Sequence, residues 1–220
     1  MGSLKIALIF GMGSRVGVEV AHAFAAAGYQ VAGVSRSGRI AGVPHEYELI
    51  SADLSKPGTV QRAFEWVKER LGLPSVVIYN ASAGRFPSNS ALERPVSELI
   101  EDTHTNIFSA YQAAQSAVEC FAQLPPELSK TFIYTGNKQP WLVIPPLLTS
   151  GIGKAGAAHM IHYLSEELRG KGYKWVCRIA MVGKGADTET GSTSRTKGYP
   201  MARRCMVQLT VPHMGPSMRI

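Results

Sequence analysis

Cysteine is scarce in this sequence. Three occur in 220 residues, Cys120, Cys177 and Cys205, odd in number and far apart. That excludes a disulfide-stapled scaffold and supplies no cluster for a metal, so no metal site is expected. The pattern fits a reducing compartment, and a cytoplasmic location is expected. Long apolar runs are missing too. None approaches the ~18 residues of a membrane helix, so no membrane partner is expected. The opening MGSLKIALIF has one lysine, a short apolar stretch and no small-residue cleavage site. It does not read as a secretory leader. Position 6 is Ile6 rather than Ser or Thr, which makes a poor myristoylation match. Charged residues make up only 18% of the chain, whereas 45% are hydrophobic. A disordered chain is excluded by that balance, and a chain of this length can bury a full core.

The net charge is +7. It is unevenly spread. Residues 184–220 hold six basic side chains against two acidic ones, so they carry +4 of the +7. Tyr199 is the one Phe, Tyr or Trp in that stretch. The stacking surfaces of single-strand binders are therefore lacking, and no nucleic-acid partner is expected.

Apolar runs alternate with helical patterns. Leu4–Phe10 reads as a strand buried on both faces. Arg15–Ala27 reads as an alanine-rich helix, with Gly28 at its C-terminal cap. Gln30–Ser35 and Glu46–Ile50 read as the next strands. Pro57–Leu71 follows as a helix with Pro57 near its first turn. Ser75–Tyr79 is the fourth strand, and Val96–Phe121 is a long helix that the pattern allows to be interrupted. Lys130–Thr135, a helix over Ser150–Arg169 and a strand over Lys174–Val182 complete the series. This alternation predicts right-handed βαβ units and a doubly wound parallel sheet with helices on both faces, a three-layer α/β/α fold of the Rossmann type. One domain over residues 1–220 is expected. Residues 183–220 form an irregular C-terminal segment within it, where MVQLTV could add a last strand.

The first strand runs into Gly11, Met12, Gly13, Ser14, Arg15, Val16 and Gly17. Glycines at a strand-to-helix turn let backbone amides approach a pyrophosphate, and the helix N-terminus favours the anion. The spacing is GxGxxxG, in the strand–turn–helix context that the motif requires. The second strand ends on Ser35 and Arg36. An acid there suits the ribose of NAD, whereas Arg36, with Arg15 and Arg39 nearby, suits the 2′-phosphate of NADP. NADP(H) is the expected cofactor.

Residues 4 to about 182 resemble the short-chain dehydrogenase/reductase family. Phe10-Gly11 and Val16-Gly17 align with the ends of the family's TGxxxGxG loop, with Phe10 in place of Thr and Arg15 in place of the middle Gly. Asp53 and Leu54 resemble the adenine-contacting pair after the third strand. Asn80, Ala81 and Ser82 resemble the NNAG segment, with Tyr79 replacing its first Asn. Asn106 is similar to the proton-relay Asn of the central helix.

The family's chemistry rests on a Ser after the fifth strand and on YxxxK. Here the serine position falls on Gly136, Thr135 is the nearest hydroxyl, Lys154 is kept and the tyrosine is Ser150. The resemblance implies catalytic positions at Lys154, Asn106, Thr135 and Ser150, with Lys154 also holding the nicotinamide ribose. The run TGN, PPL and GxGK resembles a fungal and bacterial branch that lacks the tyrosine. The apolar stretch after the fifth strand, Trp141 to Ile144, suggests a natural-product-like, secondary-metabolite substrate. The family also implies a homodimer or homotetramer built through the helices at 96–121 and 150–169.

A phenol of pKa about 10 can be tuned to exchange a proton near neutrality, but a serine hydroxyl cannot. Substitutes for it are Tyr134, Tyr111, His159 or His162. Without one, hydride transfer needs an acceptor that takes no concurrent proton, such as an iminium carbon. Two other readings remain: a non-redox cyclase, isomerase or dehydratase, and a non-catalytic NADP-binding regulator. A Ser150–Lys154 nucleophilic pair is set against Ser150, or Thr149, as an ordinary helix N-cap. Trp141 to Ile144 and the neighbouring prolines suggest an apolar pocket wall, hence a small hydrophobic substrate.

Overall fold

A computed structural model describes residues 4–86 and 90–179. The expected strand at MVQLTV, and everything else expected of residues 183–220, lies outside the described residues.

Six strands form one parallel sheet: β1 (Ile6–Phe10), β2 (Gln30–Ser35), β3 (Glu48–Ser51), β4 (Val76–Tyr79), β5 (Lys130–Gly136) and β6 (Tyr173–Ile179). Their order is β3-β2-β1-β4-β5-β6. β1 is buried at all five positions and β4 at all four, as strands covered on both faces must be. The helices are α1 (Val16–Ala26), α2 (Thr59–Arg70), α3 (Val96–Thr103), α4 (Ser109–Gln123) and α5 (Leu148–Glu167). On one face Leu8, Phe10, Val77, Tyr79, Phe132 and Tyr134 pack against α2, α4 and α5. On the other, Ala7, Ile9 and Ile78 pack towards α1. This is the expected three-layer arrangement. Small residues at Ala110, Ala113, Ala114 and Ala117 let α4 lie close on the sheet. The rings of Phe10, Tyr79 and Tyr134 continue in a row across it, with centroids 5.9 and 6.0 Å apart.

Local differences have local causes. The helix expected over 96–121 is interrupted by a π-turn at His104–Phe108. Such turns insert one extra residue and often mark functional positions. Pro57 precedes α2 rather than entering its first turn, because Gly58 takes a left-handed conformation (φ 73°) ahead of Thr59. Neither Thr149 nor Ser150 is the N-cap of α5. A 3-10 turn at Pro145–Leu147 feeds straight into the helix, which starts at Leu148. Both hydroxyls are thereby released for partners elsewhere. Among the described residues no helix is long and apolar enough to cross a membrane, and no three His, Cys, Asp or Glu side chains gather as metal ligands.

Candidate active site

The chain winds outwards from β1 to β3 and then returns to the other side through β4. At that reversal a cleft of about 1170 Å³ opens beyond the carboxyl ends of the strands. This is where doubly wound sheets place ligands. Its walls are the loop of Gly11, Gly13, Ser14, Arg15, Val16 and Gly17, then Ser35 and Arg36, then Asp53 and Leu54, then Asn80, Ala81 and Ser82.

The loop is shaped by close approach. Gly11 has φ 78°, and a Cβ there would stand 2.5 Å from the Ala81 nitrogen. A Cβ on Gly17 would stand 2.7 Å from the Met12 Cα. Gly13 faces open space instead. Asn80 ties the two strand ends together. Its N–H donates to the Phe10 carbonyl at 2.8 Å, and its Nδ2 donates to the Gly11 carbonyl at 2.8 Å. No side chain caps the start of α1, whose first turn carries Glu19, so its leading backbone N–H groups are left to the cleft. A glycine cradle, an uncapped helix N-terminus and nearby guanidinium groups fit a dinucleotide phosphate.

The charge at this end is positive. Arg15, Arg36 and Arg39 are exposed on the cleft wall, with Asp53 among them. Asp53 Oδ1 accepts from the Ser55 N–H at 2.9 Å and from the Ser55 hydroxyl at 2.8 Å. These bonds, the backbone one foremost, hold its carboxyl below the usual range.

The residues expected to be catalytic do not line the cleft. They sit behind its inner end. Asn106, on the π-turn, is fully buried and clamps Ala83 from both sides. Its Oδ1 accepts from the Ala83 N–H at 2.9 Å and its Nδ2 donates to the Ala83 carbonyl at 2.8 Å. Lys154 is 5% exposed. Its Nζ donates to the Thr135 carbonyl at 2.8 Å and lies 4.7 Å from the Tyr134 ring centre. Burial pushes the ammonium down to about 8. Thr135 therefore contributes its carbonyl and not, as expected, its hydroxyl. Strand alternation turns that side chain to the face of Ile133, away from Tyr134 and Lys154.

None of the substitute acids reaches the cleft lining. Tyr134 is fully buried, its hydroxyl turned to the Asn106 carbonyl at 3.5 Å, and burial raises its pKa far above the ordinary phenol value. Tyr111 and His159 are exposed on helix surfaces, and His162 is half-buried on α5.

Three residues went unnoticed in the sequence. Asp102, 2% exposed, joins three elements. Its Oδ1 accepts from Arg85 Nε at 3.2 Å and its Oδ2 from the Thr149 hydroxyl at 2.6 Å. Arg85 also pairs with Glu101 at 2.5 Å and Glu98 at 3.6 Å. Gln139 accepts the Ser150 hydroxyl on Oε1 at 2.9 Å. Asp102 stands one helical turn before Asn106, a spacing that could have drawn notice. Arg85 and Gln139 lie in loops and carry no such signal. Thr149→Val strips one partner from a buried carboxylate. It is expected to cost about 2 kcal/mol in urea unfolding, with Thr149→Ser close to wild type.

A sequence profile described as short chain dehydrogenase matches residues 5–126, ending before β5 and α5. A short chain dehydrogenase/reductase, dmxR12, of Cryptosporiopsis sp. (strain 8999) is 35% identical over 190 residues, covering 79% of this chain and 75% of the relative. Among solved structures, a short-chain dehydrogenase from Streptomyces avermitilis superposes with a TM-score of 0.71 at 22% identity, over 84% of this chain and 71% of that one. The 3-ketoacyl-(acyl-carrier-protein) reductase of Brucella melitensis, complexed with NADH, gives 0.70 at 23% identity, over 79% and 74%. A short chain dehydrogenase from Leptospira borgpetersenii with bound NAD+ gives 0.68 at 17% identity, over 80% and 70%.

Proposed function

Because the chain belongs to the short-chain dehydrogenase/reductase family, we propose that it is an NADP(H)-dependent oxidoreductase. It passes hydride to or from a small, apolar substrate without a tyrosine acid. The observation that carries this reading is the cleft itself, with its glycine cradle, uncapped α1 and three arginines at one end.

The cofactor supplies hydride. The roles assigned to this chain are positional. Gly11, Gly13, Ser14, Val16 and Gly17 accommodate the pyrophosphate at the start of α1. Arg36, with Arg15, pairs with the 2′-phosphate, Ser35 lies beside it, and Asp53 and Leu54 flank the adenine. Asn80, Ala81 and Ser82 border the adjoining ribose. Lys154 offers its ammonium to the nicotinamide ribose. Asn106 positions the Ala83 backbone and does not itself line the cleft. Trp141, Leu142 and Val143 are exposed ahead of α5 and outside the cleft lining, so the apolar substrate of the secondary-metabolite kind rests on their composition alone. A homodimer or homotetramer in the cytoplasm completes the proposal, with Ile100, Tyr111 and Ile152 as exposed apolar residues on the relevant helices.

Arg36→Asp tests the cofactor assignment. Loss of a charge-assisted phosphate pair is worth about 2 kcal/mol, roughly 30-fold. NADPH affinity is expected to fall by that factor in a fluorescence titration, with NADH affinity unchanged or improved. Equal loss for both cofactors would exclude the assignment. The want of a proton donor at Ser150 favours one second reading, a non-redox isomerase or dehydratase acting by positioning. Stoichiometric NADPH consumption during turnover excludes that alternative.

A further inference from the structure

We infer that Ser51, a residue outside the cleft lining, sets the preference for the phosphorylated cofactor by fixing the backbone of Arg36. The inference rests on the NADP(H) reading of the cleft and names a residue that determines its specificity.

β2 and β3 pair in parallel up to Ser35, which lies beside Ser51. The Ala52 N–H then donates to the Ser35 carbonyl at 2.9 Å. That bond orients the peptide plane before Arg36. The plane after Arg36 is oriented by a side chain. The Ser51 hydroxyl donates to the Arg36 carbonyl at 3.0 Å. Peptide planes are rigid, and a residue has only two soft dihedrals between them. With both planes held, the direction in which the Arg36 side chain leaves the backbone is set.

The rest of the turn is folded onto the same serine. The Gly38 N–H donates to Ser35 Oγ at 3.1 Å, and the Ser37 hydroxyl donates to the Arg39 carbonyl at 2.7 Å. Gly38 is left-handed, with φ 61°, and a Cβ on it would stand 2.8 Å from the Ser51 Cβ. A glycine lets the turn lie this close to β3. Ser35, Arg36, Ser37 and Arg39 line the cleft, whereas Gly38 and Ser51 do not.

Ser51 is therefore a positioning residue that acts through Arg36. A guanidinium pairs a phosphate through a planar fork, so the pairing depends on where the fork is anchored. A fork already in place loses less freedom when the phosphate arrives. NADH carries a hydroxyl where NADPH carries the 2′-phosphate, and it does not draw on that pairing. Ser51 is exposed, so folding depends little on its hydroxyl.

Two ligand pairs, each differing by one 2′-phosphate, provide the test. They are NADPH with NADH, and adenosine 2′,5′-bisphosphate with AMP, titrated into the full chain. Ser51→Ala is expected to weaken NADPH and the bisphosphate by about fivefold, the worth of one hydrogen bond. NADH and AMP are expected to stay within about twofold of wild type, and the melting temperature within about 2 °C. Ser51→Thr keeps the hydroxyl and is expected to restore the wild-type ratio. Gly38→Ala, which forces the turn off Ser51, is expected to lower the ratio at least as far as Ser51→Ala. A ratio unchanged by Ser51→Ala or by Gly38→Ala, equal loss for both members of a pair, or Ser51→Thr no better than Ser51→Ala overturns the inference and leaves the cofactor reading standing. A wild-type chain that binds NADPH no more tightly than NADH, or binds neither, overturns the cofactor reading and the inference with it.

Discussion

Replacing Lys154 with methionine is expected to raise the melting temperature of the protein while abolishing hydride transfer. Both effects have one cause. Lys154 is buried, has a carbonyl and a ring for company, and its ammonium is pushed from 10.5 down to about 8. A displacement of that size corresponds to about 3 kcal/mol of instability in the charged form. Methionine fills similar space without the charge, and the lost hydrogen bond returns about 1 kcal/mol, leaving a net gain of about 2 kcal/mol at neutral pH. The sign with pH follows from linkage. The folded pKa lies below the unfolded one, so the penalty is complete below pH 8. It is relieved between about 8 and 10.5, because the folded state sheds its proton first. The stabilisation of Lys154→Met should therefore be largest near pH 7 and shrink towards pH 10. A variant less stable than wild type at pH 7 would show that the ammonium is better satisfied than its surroundings allow. Catalysis should fall by at least about a thousandfold with the loss of the group proposed to hold the nicotinamide ribose. Functional positions commonly carry such stability costs.

Gly11→Ala is expected to have the second-largest effect, this time on the fold. A non-glycine residue at φ 78° costs about 1–2 kcal/mol. The new methyl would also stand 2.5 Å from the nitrogen and 2.6 Å from the Cα of Ala81. Those are backbone atoms at the end of β4, held in register by Asn80 through Phe10 and Gly11. β1 and β4 would have to part at the reversal of the sheet, adding about 2 kcal/mol. A total near 4 kcal/mol should lower the melting temperature by about 12 °C and remove cofactor binding. Gly13→Ala is the control. Nothing lies within 4 Å of its Cβ position, so stability should hold while NADPH affinity falls.

Sequence and structure agree most closely where periodicity decides the outcome. β2 occupies Gln30–Ser35 as read, and β1 and β4 differ only at their first residues. A buried parallel strand is an uninterrupted apolar run, and the glycine loop keeps its spacing whatever surrounds it. Each stretch that lines the outer cleft is for that reason legible by itself, at the carboxyl end of one strand. The inner end is not local. Ser150 and Thr149 look like caps in one dimension, but a 3-10 turn ahead of them starts α5 early and sends one hydroxyl to Gln139 and the other to Asp102. Thr135 looks like a catalytic hydroxyl until the pleat assigns its side chain to the other face. Arg85, Asp102 and Gln139 come together from three separate segments. Only tertiary packing could have paired them.

The central claim is that this cleft holds a phosphorylated nicotinamide dinucleotide. Isothermal titration of the wild-type chain with NADPH and with NADH tests it directly. The account predicts saturable binding of NADPH in the micromolar range or tighter, at least about tenfold stronger than NADH. Binding of neither, or tighter binding of NADH, would contradict it.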